Sequence, residues 1–257
     1  MRKLDLINRT VYENKDVVAT YRLAHDLQEA EKAILHVLKD QLQDFSMLDI
    51  GVGAGRTTVH FLPLVKKYVG IDYSVNMIKA CQERFGNSAL QRSFQVCDVR
   101  FMSLFEDHSF DFVLFSFNGV DYMDHVGRIK AFEEIRRVGR PRGTFCFSTH
   151  NFYYLENMLK VGFCKNPINF FRLIKRQIHV KAVLNNAETT HVILNDGGED
   201  FRVQTYYIKP SAQMSILNGV GFRDIRVFCE TNGNEIKNTS TLDQLKENRW
   251  FYYLCQF

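Results

Sequence analysis

The sequence of 257 residues lacks the features that mark membrane-spanning, secreted or disordered proteins. No apolar run approaches the ~20 residues that cross a bilayer. Residues 1–16, MRKLDLINRTVYENKD, lack the apolar core of a secretory signal. Only 4 prolines and 1 tryptophan occur, while 46% of the residues are hydrophobic and 24% are charged. This composition predicts a protein with a buried core, located in the cytoplasm and without a membrane partner.

Cysteine and histidine are present but have no metal-binding or disulfide pattern. The 6 cysteines include no C-x-x-C pair, and most lie in apolar, strand-like contexts, which indicates buried free thiols. The histidines have no ligand spacing, so no metal site is predicted. The cysteines are Cys81, Cys97, Cys146, Cys164, Cys229 and Cys255, and the histidines in question are His25, His36, His60, His125, His179 and His191.

Positive charge is concentrated in one segment. The formal net charge is only +4, yet residues 151–187 contain six basic side chains against the single acid Glu156. A solvated helix face explains such a run most simply. The alternatives are a patch that holds an anionic acceptor and a patch that contacts nucleic acid. The basic residues are Lys160, Lys165, Arg172, Lys175, Arg176 and Lys181.

From residue 46 onward, strand-like and helix-like stretches alternate. The strand-like stretches are MLDI, KYVGID, LQRSFQVCD, DFVLFSF and GTFCFSTH, and the helix-like ones are TTVHFLPLV, SVNMIKACQERF and RIKAFEEIRRV. Ser74 can cap the second of these helices. Strands that alternate with helices pair in parallel through helical crossovers, so this region predicts an open α/β sheet covered on both faces.

The flanking segments differ from this pattern. Residues 17–42 predict one or two amphipathic helices. Residues 151–205 interrupt the alternation with a helical stretch and a hairpin that turns at Asp196-Gly197-Gly198. A helix started by Pro210 and Ser211, and two final strands, complete the chain. We therefore predict one domain, 1–257, with a helical cap (1–45), a core (46–150), a lid insertion (151–205) and the rest of the core (206–257).

The stretch MLDIGVGAGR, residues 47–56, places three glycines between a strand and a helix. Glycine adopts positive φ and leaves space for a ligand beside the backbone, and the following helix start attracts negative groups. An ordinary tight turn would explain the glycines equally well. Two acidic residues favour a ligand-binding loop over an ordinary turn. Asp72 ends the second strand, where a carboxylate can bind both ribose hydroxyls, and Asp98 ends the third strand.

Together these motifs resemble the class I S-adenosylmethionine-dependent methyltransferases. DIGVGAGR matches the first motif, GIDYSVNM the second-strand acid and helix start, VCDV the adenine-side acid and FDFVLFSF the fourth strand. The turn at residues 139–143, GRPRG, departs from the usual Leu-Lys-Pro-Gly-Gly. The resemblance implies a Rossmann-like, mostly parallel seven-stranded sheet with helices on both faces, a C-terminal antiparallel strand pair and an N-terminal helical cap.

The resemblance also implies S-adenosyl-L-methionine as cofactor and assigns its contacts. Gly51, Gly53 and Gly55 would border the methionine part. Asp49 would orient its amino group, directly or through water.

The remaining contacts belong to the nucleoside and to the methyl group. Asp72 would hold the ribose, Tyr73 and Met77 would flank the adenine, and Asp98 with Val99 would face the adenine amine. Phe115 and Asn118 would border the reacting end of the site.

Sulfonium methyl transfer requires mainly positioning, but a hydroxyl or ammonium acceptor must also lose a proton. His150, Asp121 and Tyr122, near the carboxyl ends of the strands, are the candidate catalytic residues. His150 could equally cap the turn after its strand, and Asp121 and Tyr122 could serve as a helix cap and a pocket wall. Tyr12 and Tyr21 would close over the cofactor, or simply pack between helices.

We predict methyl transfer to a small-molecule oxygen or nitrogen acceptor, for which an anionic compound is one option. One alternative is an NAD(P)-dependent oxidoreductase, although its turn is usually G-x-G-x-x-G rather than the G-x-G-x-G found here. Another is a methyltransferase-like binding protein without catalysis. Nucleic acid is disfavoured as an acceptor because no Pro-Pro-Tyr-type tetrad or Pro-Cys nucleophile is present. NPIN, residues 166–169, is not such a tetrad.

Overall fold

The structure is a computed structural model that describes residues 3–86, 91–159, 167–186 and 188–257. Its α-helices are α1 (Lys3–Tyr12), α2 (Lys15–Leu23), α3 (Glu29–Leu38), α4 (Thr58–Phe61), α5 (Val75–Phe85), α6 (His125–Val138), α7 (Pro167–Leu184), α8 (Gly198–Phe201) and α9 (Pro210–Val220). Its strands are β1 (Ser46–Ile50), β2 (Lys67–Asp72), β3 (Arg92–Val96), β4 (Phe110–Phe115), β5 (Gly139–Asn151), β6 (His191–Leu194), β7 (Thr205–Ile208), β8 (Arg223–Cys229) and β9 (Trp250–Gln256).

The central sheet is mostly parallel. Strands β3, β2, β1, β4 and β5 lie side by side in this order, all parallel. Strand β9 pairs antiparallel with both β5 and β8. The predicted Rossmann-like fold with a C-terminal antiparallel pair is therefore confirmed.

The sheet has nine described strands instead of the predicted seven, because the insertion contributes a hairpin to it. Strand β7 pairs in parallel with the last two residues of β5, and β6 pairs antiparallel with β7. The connection between the two strands of this hairpin is longer than the tight turn predicted at residues 196–198. Gly197 has φ 105° and is followed by the short helix α8, so the two strands are not joined by a two-residue turn.

Helix boundaries agree best where a capping residue is present. The Ser74 hydroxyl accepts a hydrogen bond from the Met77 N–H at the start of α5, as predicted. The helix predicted at residues 57–65 is only one α turn, followed by a 3-10 turn that contains Pro63. Proline lacks the N–H that an α-helix needs. The N-terminal cap consists of three helices instead of one or two, and α1 precedes the segment that the periodicity identified.

Apolar side chains cover both faces of the sheet. On one face, Phe132 and Leu217 of α6 and α9 pack against Phe145. On the other, Ile34 of α3 packs in a cluster with Phe112. A third cluster joins α1 and α2 to α5. Both faces of the central strands are thus buried, and the carboxyl ends of the strands remain available for a site.

Among the described residues no helix has the length and apolarity of a bilayer span. Five described cysteines are free thiols, namely Cys81, Cys97, Cys146, Cys229 and Cys255, and all except Cys229 are buried. The prediction of buried free thiols therefore holds for four of these five, Cys229 is free but only partly buried, and Cys164 lies outside the described residues.

Candidate functional site

A cavity of about 130 Å³ lies at the carboxyl edge of β1, β2 and β4. Of the predicted cofactor residues, Gly51, Gly53, Asp72, Tyr73, Met77, Asp98, Val99 and Phe115 line it, and the predicted catalytic residue Tyr122 does so too. The wall also contains Asn8, Arg9, Tyr12, Tyr21, Ile50, Cys97, Arg100, Ser116, Phe117, Gly119 and Met123. The sequence motifs therefore meet at one place in the fold.

The three glycines of the first motif have positive φ, but they do different things. Gly51 and Gly53, with φ 63° and 56°, line the cavity. Gly55, with φ 89°, does not. A Cβ atom on Gly55 would lie 2.3 Å from Cε2 of Phe85, so this glycine allows α5 to pack closely against the loop. Its position beside the methionine part stays a prediction, while the structure shows its packing contact with Phe85.

Two backbone hydrogen bonds hold the Asp72 carboxylate in one orientation at the cavity. Its Oδ2 accepts a hydrogen bond from the Gly53 N–H at 3.1 Å, and its Oδ1 accepts one from the Ser74 N–H at 2.8 Å. Burial raises the pKa of Asp72 to about 6, against the lowering effect of these bonds. Each carboxylate oxygen has room for a second donor, so the side chain can still accept from a diol in the cavity.

Asp49 lies beneath the glycine loop and does not line the cavity. Its Oδ2 accepts hydrogen bonds from the Thr57 hydroxyl at 2.6 Å and the Tyr68 hydroxyl at 2.5 Å. Burial raises the pKa of Asp49 to about 6 despite both bonds. Asp49 at the end of β1 thus bonds to Tyr68 of β2 and to Thr57 after the loop. It does not reach the cavity wall, so the structure gives it no direct contact with a ligand.

Asp98 and Val99, which follow β3, also line the cavity. The Arg100 side chain donates to Asp98 through Nε at 2.9 Å and Nη2 at 2.6 Å, and the Arg100 N–H donates to Oδ1 at 2.9 Å. Burial acts to raise the pKa of Asp98, but the bonds and charge of Arg100 hold it below its usual value. The carboxylate is therefore kept ionised as an acceptor.

The turn after β4 has a strained backbone. Phe117 and Asn118 have φ 54° and 60°, and neither is a glycine. The Asn118 N–H donates to the Ser148 hydroxyl at 2.8 Å, which helps to hold this conformation. Strain of this kind costs of order 1–3 kcal/mol per residue and concentrates at functional sites. Phe117 and Gly119 line the cavity, whereas the predicted cofactor residue Asn118 does not.

The buried Asp121 and the partly exposed His150 form a pair next to this turn. The Asp121 Oδ2 accepts from the His150 N–H at 2.7 Å and lies 2.8 Å from its Nδ1. Its Oδ1 accepts from Arg128 Nη1 at 2.5 Å and from the Thr149 hydroxyl at 2.6 Å. Asp121 is fully buried and absent from the cavity wall, so its direct contacts are with protein groups, and its catalytic role stays a prediction. It orients His150.

His150 has its other ring nitrogen directed toward the strained turn. With Nδ1–H donated to Asp121, Nε2 carries the lone pair, 3.4 Å from Nδ2 of Asn118. The His150 side chain is 14% exposed and lies beside Tyr207 and Trp250. His150 is not in the cavity wall, but it adjoins the Phe117–Gly119 segment that is. Tyr122, the third candidate, lines the cavity directly.

The N-terminal cap forms a wall that the sequence reasoning only partly identified. Tyr12 and Tyr21 were named as candidates to close the site, and both line it, but Asn8 and Arg9 of α1 were missed. The Asn8 amide donates to the Tyr122 carbonyl at 3.0 Å and to the Gln204 carbonyl at 3.1 Å. The apolar pair Ile7 and Val11, spaced i, i+4, is the sequence signal that could have revealed α1.

A buried ion pair joins α3 to the end of the glycine motif and was also missed. Arg56 donates to Glu31 through Nη1 and Nη2, both at 2.6 Å. The hydroxyls of Ser116 and Tyr252 also donate to Glu31. Burial acts to raise the pKa of Glu31, but the bonds and charge of Arg56 lower it below its usual value. Arg56 directly follows the glycines, yet nothing in the sequence identifies its partner 25 residues earlier.

The basic residues of the insertion stay outside the cavity wall. The described ones, Arg172, Lys175, Arg176 and Lys181, are absent from it, and all but Arg176 are exposed. Lys160 and Lys165 lie outside the described residues, as do the insertion aromatic Phe163 and the first residue of NPIN. This distribution favours the solvated-face interpretation. Within the described ranges no cluster of three or more His, Cys, Asp or Glu could hold a metal ion.

Comparisons with known proteins agree with this geometry. Residues 47–143 match the family model described as a methyltransferase domain. An uncharacterized protein of Methanocaldococcus jannaschii is 26% identical over 213 residues, which are 81% of this chain and 72% of that protein.

Solved structures share the fold at low identity. An S-adenosylmethionine-dependent methyltransferase from Mesorhizobium loti superposes with TM-score 0.62 at 17% identity, covering 89% of this chain and 98% of the other. The 1,6-didemethyltoxoflavin-N1-methyltransferase of Burkholderia thailandensis, solved with its substrate and S-adenosylhomocysteine, gives TM-score 0.58 at 14% identity, covering 98% and 87%.

Proposed function

We propose that this chain, whose residues 47–143 match a methyltransferase-domain model, transfers the methyl group of S-adenosylmethionine to a nitrogen or oxygen atom of a small molecule. S-adenosylmethionine supplies an electrophilic methyl group on a sulfonium sulfur. The chain's own contribution is to orient the two reactants, exclude water and accept a proton.

One observation carries this proposal: the acids expected to bind the nucleoside and the tyrosines of the N-terminal cap line the same cavity. Asp72 and Asp98, the two acids proposed to bind the adenosine, line this cavity together with Tyr12 and Tyr21 of α1 and α2. The Tyr73 hydroxyl is buried and has no hydrogen-bond partner among the described residues. Burial keeps the pKa of Tyr73 well above its ordinary value, so it remains a neutral donor for a ligand. A covered cavity suits a small acceptor better than a polymer.

His150 is the proposed general base. Asp121 fixes its ring by accepting the Nδ1–H, which leaves Nε2 to take a proton from the attacking hydroxyl or ammonium group. The resulting imidazolium is stabilised by the neighbouring carboxylate. Asp121 Oδ1 in turn accepts a hydrogen bond from the buried Arg128 side chain.

An anionic acceptor remains a narrower option. It would have to use Arg9, because the other basic residue in the described cavity wall, Arg100, is already bonded to Asp98. Binding of the cofactor without catalysis is the second candidate function, since a methyltransferase fold does not by itself guarantee turnover.

The test is a methyl-transfer assay that detects S-adenosylhomocysteine formation with a panel of acceptors. The panel contains 1,6-didemethyltoxoflavin, which the Burkholderia protein binds, together with histamine, phosphoethanolamine and catechol. Acceptor-dependent formation of S-adenosylhomocysteine supports the proposal. Tight binding of S-adenosylhomocysteine without turnover of a wider amine and phenol library would support the non-catalytic alternative.

The role of His150 is tested with His150→Asn, and His36→Asn is the matched control because His36 is exposed on α3. We expect His150→Asn to lower kcat by ~10²–10⁴-fold and to leave the dissociation constant of S-adenosylhomocysteine within about twofold. The control should match the parent protein in both measurements. Equal kcat values for the two variants would exclude His150 as the base.

A further inference from the structure

Helix α7 in the insertion has an outward surface that is apolar instead of polar. Phe171 and Ile178 are 70% and 66% exposed, and Phe170 and Ile174 are also exposed. At 100° per residue these four side chains fall on one side of the helix, with Lys175 at one edge of that side and Lys181 on the same side in the last turn. We call this surface the α7 outer face: Phe170, Phe171, Ile174, Lys175, Ile178 and Lys181.

The opposite side of α7 holds the helix to the protein. Val180 is fully buried. Arg176 Nη1 donates to the Asp196 carbonyl at 2.7 Å, and the Gln177 amide donates to the Leu159 carbonyl at 3.3 Å. A surface helix normally turns its polar side to water once its apolar side is packed. Here both sides are apolar, so the outer face needs an explanation other than the core.

The charge of α7 limits what can cover this face. The helix contains Arg172, Lys175, Arg176 and Lys181 and no Asp or Glu. Lys175 and Lys181 are exposed and have no ion-pair partner among the described residues. A second copy packed by two-fold symmetry would bring like charges together, which disfavours self-association.

We propose that the α7 outer face is a docking surface for an anionic lipid membrane. Helices with Phe and Ile on one side and Lys beside them lie in the plane of the interface, where the apolar side chains enter the acyl boundary and the ammonium groups meet the headgroups. This proposal is independent of the acceptor and differs from the expectation of no membrane partner. That expectation rested on the lack of a spanning run, and α7 is not such a span.

The experiment is flotation of the full chain with vesicles of phosphatidylcholine alone or with about 30% phosphatidylserine, at low and high salt. We expect the protein to bind the anionic vesicles. This binding should weaken when the salt concentration is raised from about 50 to about 500 mM, because salt screens the attraction between surface charges. Replacing Lys175 and Lys181 by Gln should weaken binding about fivefold per charge. Phe171→Ser with Ile178→Ser should abolish it.

The matched control is Leu23→Ser with Val126→Ser, because these apolar side chains are 78% and 58% exposed but lie away from α7. The control should bind as the parent does, and circular dichroism verifies that every variant is folded. Three results would overturn the proposal: no binding to anionic vesicles, binding that survives Phe171→Ser/Ile178→Ser, or a solution dimer of the parent that the same double variant dissociates. Methyl transfer with a water-dissolved acceptor should be unchanged in both double variants.

Discussion

Gly55 illustrates how a motif residue can act through packing. Its φ of 89° is unfavourable for other residues, and a Cβ would overlap Phe85 at 2.3 Å. We expect Gly55→Ala to lower the free energy of unfolding by ~1–3 kcal/mol, measured by urea denaturation. Gly219→Ala is the control, because no atom lies within 4 Å of its Cβ position in α9. That variant should be stabilised by up to ~1 kcal/mol. Comparable losses in both variants would contradict the packing role.

Asp72 should make cofactor binding depend on pH. Burial raises its pKa to about 6, so the empty site gains a proton as the pH falls through 6. A ribose needs the charged form as acceptor, so the affinity for S-adenosylhomocysteine should fall below pH 6, by at most about tenfold per pH unit. Above pH 7 the affinity should be constant. Calorimetric titrations between pH 5 and 8 measure this dependence.

The matching substitution is Asp72→Asn. It removes a charge-assisted bond worth ~1.5–3 kcal/mol, so binding at pH 7.5 should weaken ~10–100-fold, and most of the pH dependence should disappear. Asp40→Asn, which changes an exposed acid after α3, serves as the control. An affinity that Asp72→Asn leaves unchanged would refute the ribose role.

The residues that could be predicted from sequence are those whose signal is local. Asp72 and Asp98 were identifiable because each follows directly on a strand-like run. The roles of Asp49 and Asp121 could not be read in the same way, because their hydrogen-bond partners come from distant positions such as Tyr68 and His150. A carboxylate at a strand end can face the ligand or the interior, and only packing decides which.

At the scale of elements, the pair of Glu31 and Arg56 connects the cap helix α3 to the cofactor loop. Glu31 is 1% exposed, so Arg56→Met would leave its charge buried without a partner. We expect a loss of ~3–5 kcal/mol in the free energy of unfolding. Arg22→Met is the control, because its partner Glu83 is exposed, and should cost no more than ~1 kcal/mol.

A double variant separates the lost bond from the stranded charge. Replacing both Glu31 and Arg56 by Met removes both charges, and it should recover most of the stability lost in Arg56→Met. Urea denaturation of the two variants measures the difference. If the double variant is as unstable as Arg56→Met, the lost stability comes from the missing hydrogen bonds of the pair and not from an unpaired buried charge.

Elements with strong local signals were predicted with nearly correct bounds. Strand β2 and helix α5 are examples, since the first is an uninterrupted buried run and the second has its serine cap. The pairing of β7 with β5 could not be predicted, because two-residue parallel contacts depend on where the insertion returns to the sheet. Helix α1 was not predicted, and part of what fixes it in place is long-range, such as the hydrogen bond from the Asn8 amide to the Gln204 carbonyl.

At the scale of the whole molecule, ligand binding should stabilise the fold. S-adenosylhomocysteine at 100 times its dissociation constant should add ~2.7 kcal/mol. For a chain of 257 residues this corresponds to a rise in Tm of about 5–10 °C. Differential scanning fluorimetry measures it, and NADH at equal concentration should produce no rise. The reverse preference would favour a dehydrogenase.

The side-chain amide of Asn8 donates to the carbonyls of Tyr122 and Gln204, so it links α1 to the segment after β4 and to the β6–β7 hairpin. Three distant parts of the chain are thereby fastened together beside the cavity that Asn8 lines. Replacing this single amide would loosen the first helix from both of its partners at once.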